Sequence, residues 1–66
     1  MMRIVLEDGL MMVMDDQHQG YDCLDLGDCS LEYANGQIER WAAEYKFDVA
    51  ASKRELAEYF SALDAE

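Results

Sequence analysis

The chain predicts an α+β fold: a three-stranded antiparallel sheet, made of an N-terminal β-hairpin and a short third strand, packed by two C-terminal helices. Three observations lead there. Residues 3–14, R-I-V-L-E-D-G-L-M-M-V-M, are two β-rich apolar runs joined by Asp8-Gly9. The apolar period is close to two as far as residue 26 and changes to steps of three and four from Ser30 onward, the change that separates strand from helix. There is no proline, repeat or low-complexity linker, so residues 1–66 are read as one domain.

The hairpin comes first. Asp-Gly between β-rich runs favours a two-residue turn, because both turn positions need φ > 0 and glycine reaches it without a Cβ clash. The spacing predicts strands over 3–7 and 10–14, with Glu7 opposite Leu10, Leu6 opposite Met11, Val5 opposite Met12 and Ile4 opposite Val13. Directly opposed residues share a face. Ile4, Leu6, Met11 and Val13 then form a wholly apolar face, whereas Arg3, Val5, Glu7, Leu10, Met12 and Met14 form a mixed one. The polar run 15–20 ends in glycine and reads as a loop. Leu24 and Leu26 at strand spacing, with Tyr21 and Cys23 on the other face, predict a third strand over 21–26 that Gly27-Asp28 ends.

Leu31, Ala34, Ile38, Trp41, Ala42 and Tyr45 trace one stripe of a helix centred on Trp41, with Asp28 or Ser30 as its N-cap. Asn35-Gly36 lies inside that stripe. A second hairpin turn there would put Ile38 and Ala42 out of phase, so the helix is preferred, with a start at Asn35 as its shorter form. Residues 47–51 read as a connection in which Asp48 can cap. Ser52-Lys53-Arg54-Glu55 matches a capping box, and Leu56, Tyr59, Phe60 and Leu63 carry the stripe of a final helix over 53–64.

A chain of 66 residues buries about 60% of the surface that its unfolded form exposes, so stability is expected to be marginal. Of the 52% hydrophobic residues, eight are alanine, which contributes little to a core. Fifteen Asp and Glu against five Lys and Arg give a net charge of −10 and a pI near 4.1. Residues 1–32 carry eight acids and one base, and residues 33–66 seven acids and four bases, so the charge is polarised towards the N-terminal half. The ordinary role of such charge is to keep a small domain dispersed. A polarised negative field also suits a basic groove on a partner, and the lack of a basic patch argues against direct nucleic-acid binding.

Cys23 and Cys29, with five residues between them, fit neither a C-x-x-C redox pair nor half of a zinc knuckle. Two buried free thiols are expected, with a disulfide as the alternative if 22–30 doubles back. No apolar run exceeds five residues, far below the roughly 20 of a spanning helix, and a cytoplasmic location is expected. Asp15, Asp16, His18, Asp22 and Cys23 miss the EF-hand spacing and lack a second histidine or paired cysteine, so no metal or other cofactor is expected. Adjacent acids in a chain this small have little room for the desolvated cleft that acid–base catalysis needs, and no enzyme is expected.

In its size, its acidity, the opening M-M-R-I-V-L-E-D-G and the hairpin followed by amphipathic helices, the chain resembles the small phage-type anti-CRISPR inhibitors, particularly those acting on type I-C systems. The resemblance covers the layout of the whole chain. It implies an acidic mimic of double-stranded DNA that occupies the DNA-binding site of a type I surveillance complex (Cascade) in a phage-bearing host cell. The expected partner surface is Asp15, Asp16, Asp22, Asp25, Asp28, Glu32 and Glu39. Glu32 and Glu39 lie seven apart, about 10 Å along one helix face. Lys46, Lys53 and Arg54 dilute the field at the last helix. The alternative is a small acidic interaction module, such as an antitoxin or phage regulatory protein, that binds through the methionine-bearing hairpin face. In either case the chain is expected to be a monomer or weak homodimer.

Overall fold

In the computed structural model, which describes residues 1–64, the elements run β1 (Arg3–Glu7), β2 (Leu10–Met14), β3 (Gly20–Asp25), a short 3-10 turn (Leu26–Asp28), α1 (Leu31–Ala42) and α2 (Val49–Asp64). The strands form one antiparallel sheet in the order β1-β2-β3, and the α+β class expected from the sequence is the one observed. Asp8 and Gly9 have φ of 55° and 76°, the pair of left-handed residues that a two-residue hairpin turn requires. The register places Ile4 opposite Val13, Val5 opposite Met12, Leu6 opposite Met11 and Glu7 opposite Leu10, as the loop length dictates.

Because cross-strand partners share a face, the helices need cover only one side of the sheet. Ile4, Met11 and Val13 from that side join Leu26, Ala34, Ile38, Trp41 and Leu56 in a single buried cluster. Met11, Val13, Ile38 and Leu56 are fully buried, and side chains of this kind each favour folding by about 1.5–3 kcal/mol when withdrawn from water. Val5, Leu10, Met12 and Met14 on the opposite side are half-buried, and Arg3, Glu7 and Cys23 are exposed.

Four features differ from the sequence reading, each for a local reason. β3 ends at Asp25 rather than Leu26, because the Asp25 carboxylate accepts from Gly27 N at 2.8 Å and starts the 3-10 turn. Leu26 stays in the core at 4% exposure, and its N–H reaches back to Gly9 O at 2.9 Å. A register irregularity between Val13 and Met14 takes Tyr21 out of strict alternation with Cys23, and its ring meets that of Tyr45 with 6.0 Å between centroids. α1 closes at Ala42, so Tyr45 lies beyond it, yet Tyr45 N still donates to Trp41 O at 2.7 Å. That bond turns its ring back onto the core.

The fourth difference is at α2, which begins four residues before the expected start. Asp48 caps it, its carboxylate accepting from Ala51 N at 3.0 Å, so the Ser52–Glu55 capping box does not form. Ser52 instead lies inside the helix, buried, with its hydroxyl donating to Asp48 O at 2.7 Å. The first cap that the chain offers wins, since helix propagation costs less than a second nucleation.

Ser30, not Asp28, caps α1 through Tyr33 N at 3.1 Å. Asn35 and Gly36 are helical, and Asn35 Oδ1 is buried without a hydrogen-bond partner among the described residues. A Cβ added at Gly36 would meet nothing within 4 Å. Gly36→Ala is therefore expected to raise stability by about 0.5–1 kcal/mol by restricting the unfolded chain, measured by chemical denaturation; a loss would mean that the backbone there is not helical.

Candidate functional site

An antiparallel meander returns the end of its third strand to the turn between the first two. Leu10 is paired with Asp25, and the Leu26–Gly9 hydrogen bond holds the 3-10 turn beside the hairpin turn. Glu7 and Asp8 therefore share one end of the sheet with Asp25 and Asp28, and Glu32 follows in the first turn of α1. All five side chains belong to exposed residues. None has an ion-pair partner among the described residues, where the ion pairs are Met1–Asp16 and Lys53–Glu39. Across the row Glu7–Leu10–Asp25 the outer strands stand about 10 Å apart, two strand spacings.

Beside this end runs an open cleft of about 410 Å³ lined by Leu24, Asp25, Asp28, Cys29, Ser30 and Tyr33. Burial, and then the charges of Asp25 and Asp28, push the Cys29 thiol above its ordinary pKa, which keeps it protonated and a poor nucleophile. Its Sγ lies 3.5 Å from Asp25 O. Both cysteines are free, but neither is buried as expected: Cys23 is exposed on the uncovered sheet face and Cys29 is half-buried. Tyr33, 52% exposed, carries the Arg40 guanidinium at 5.7 Å from its ring centroid.

Of the seven acids expected to face a partner, the fold brings together three: Asp25, Asp28 and Glu32. Asp15 and Asp16 lie at the opposite end of the sheet, among cations. Asp16 Oδ2 is 2.9 Å from the Met1 ammonium, and Arg3 approaches His18 Nδ1 at 3.1 Å. Asp22, on the helix-covered face with its cross-strand partner Val13 but itself exposed, accepts from Trp41 Nε1 at 3.1 Å. Glu39 is paired with Lys53 at 3.2 Å, an exposed pair worth at most about 1 kcal/mol. Glu7 and Asp8 were missed as site residues, although the hairpin register combined with an antiparallel third strand beside β2 puts them at the same end of the sheet as the end of β3.

Asp15 organises its loop instead of offering its charge outward. Its carboxylate accepts from Gln17 N at 2.8 Å, Gln19 N at 3.0 Å and the Tyr21 hydroxyl at 2.9 Å. The Gln19 N–H, with smaller help from Tyr21, Gln17 and the terminal ammonium, holds its pKa below the usual carboxylate value. The same Asp15 contact pushes the Tyr21 hydroxyl above the ordinary tyrosine value. Tyr21 thus supplies stability below its unfolded pKa of about 10, lost as pH rises through the higher folded value. Asp15 supplies stability above about pH 4, lost as pH falls through its lower folded value. Following the Tyr21 ring resonances by NMR should give an alkaline midpoint above that of free tyrosine, and Asp15→Asn should return it towards the free value. An unshifted wild-type midpoint would show that the contact is not held in solution.

Among the described residues no group of three or more His, Cys, Asp or Glu is placed to hold a metal ion, and no helix is long and apolar enough to cross a membrane. No protein-family model matches the chain, and no curated protein or solved structure does so either.

Proposed function

We propose that the protein is an acidic binding module for a basic, nucleic-acid-binding partner, and that it competes with double-stranded DNA for that partner's DNA site. The observation that carries this reading is the placement of Glu7, Asp8, Asp25, Asp28 and Glu32 at one end of the sheet, exposed and with no ion-pair partner among the described residues. A DNA-binding groove is lined with Lys and Arg whose attraction is independent of sequence and sensitive to salt, and a fixed group of carboxylates addresses the same charges. The resemblance to type I-C anti-CRISPR inhibitors makes a type I surveillance complex the first partner to try.

The experiment measures binding of the protein to such a complex at two salt concentrations, with and without bound DNA. Affinity is expected to fall at least about tenfold between roughly 50 and 200 mM salt, and DNA is expected to compete. Converting the five acids to Gln or Asn should weaken binding by about tenfold or more, chiefly through the association rate. Neutralising Glu39, Glu44, Glu55, Glu58 and Asp64 instead removes the same charge from the helical part and should have the smaller effect. A salt-insensitive complex that forms equally well on DNA-loaded partner would overturn the reading.

A further inference from the structure

The helices cover one face of the sheet and leave the other open. Because the register is fixed, the open face is a grid of three rows: Arg3–Met14–Gly20, Val5–Met12–Cys23 and Glu7–Leu10–Asp25. Its centre is apolar, and one end carries two carboxylates flanking Leu10, with Asp8 in the turn beyond. The other end carries Arg3, which is already engaged with His18. Three strands of five or six residues make a face about 10 Å wide between outer strands and about 17 Å long.

Those dimensions and charges select its occupant. A face of this size contributes a few hundred Å² at most, well short of the roughly 800 Å² that each partner buries in a stable interface. Each copy also carries a net charge of −10, which opposes self-association. A single helix fits instead. Its diameter with side chains is about 10–12 Å, and 17 Å corresponds to about 11 residues, close to the 12 residues of α1 on the opposite face. Methionine side chains repack readily around an incoming apolar ridge.

We propose that the open sheet face binds one amphipathic helix of a partner, whose apolar stripe covers Val5, Leu10, Met12, Met14 and Cys23 and whose terminal turn sets Lys or Arg over Glu7 and Asp25. This deepens the reading that the partner is basic, and it holds whether or not DNA competes for that partner. The charged end supplies rate and orientation, and the apolar centre supplies the residence time.

Three 14-residue capped helical peptides test it. The first has a leucine stripe and three lysines in its last turn, the second replaces those lysines with glutamate, and the third replaces the leucines with serine while keeping the lysines. Binding of the first is expected to shift the amide resonances of Val5, Leu10, Met12, Met14 and Cys23. The second and third are expected to bind at least about tenfold more weakly, as is the first to Met12→Ser protein. The wild-type shift map keeps the test valid if that variant folds poorly. Equal binding of the serine peptide would leave only charge attraction, sinking this proposal while the basic-partner reading stands. Shifts confined to α2 or to the acidic cleft would also overturn it, as would a dimer by sedimentation that Met12→Ser dissociates. Leucine-dependent binding to the sheet face together with failure of DNA to compete in the surveillance-complex assay would support this proposal and sink the DNA-mimic reading.

Discussion

Trp41→Ala is expected to leave most of the protein unfolded at room temperature. Trp41 is 3% exposed at the centre of the core, and truncating a buried tryptophan costs about 3–5 kcal/mol through lost burial and the cavity left behind. A domain of this length holds only about 3–10 kcal/mol in all, at 0.05–0.15 kcal/mol per residue. Part of the loss belongs to the indole N–H, which donates to Asp22 at 3.1 Å. Trp41→Phe keeps most of the apolar area and gives up that bond, so it should cost about 1–2 kcal/mol. Chemical denaturation of both variants measures the two contributions; a loss below about 1 kcal/mol for Trp41→Ala would mean that the ring does not seal the core.

Leu56→Ala is the second large effect expected, about 2–5 kcal/mol, and it should be uneven across the molecule. α2 is the longest element, yet Leu56 is its one fully buried large side chain, with Val49, Tyr59 and Phe60 packed only partly against the core. The strands and α1 keep contacts of their own through Met11, Val13 and Ile38. Hydrogen exchange on Leu56→Ala should therefore lose protection first along α2, which would open as a local unit. Leu63→Ala, in the same helix but 50% exposed, should change stability by less than about 0.5 kcal/mol. Equal losses from the two would show that α2 is held by its whole length rather than by one anchor.

What the sequence made legible was whatever rests on short-range geometry. The hairpin register followed from Asp8-Gly9, because a two-residue turn leaves one pairing, and the helix phase through Asn35-Gly36 followed from Ile38 and Trp41. Where two local signals competed, the outcome depended on tertiary context. Asp48 and Ser52 are both good caps, and sequence has no means to say that the chain is already helical when it reaches Ser52. The site was legible as a charge and not as a place. Asp15, Asp16, Asp22, Asp25 and Asp28 look alike in one dimension. The fold gives the first a loop to order, the second an ammonium, the third an indole and the fourth a turn to start, and of these it leaves Asp25 and Asp28 exposed beside one cleft. Partners 15 to 19 residues away, such as Met1 for Asp16 and Trp41 for Asp22, leave no trace in local composition.

The strand order β1-β2-β3 makes β1 and β3 edge strands, each without a second neighbouring strand among the described residues. Such edges are templates on which other chains build sheets. Here each is short and charged: Arg3 and Glu7 on one, Asp22 and Asp25 on the other. A net charge of −10 at neutral pH opposes, by repulsion, the approach of two such edges. Near the pI of about 4.1 that repulsion vanishes while the β-rich segments remain. The acidity that would draw a basic partner is thus also what guards the molecule against stacking edge to edge with its own kind.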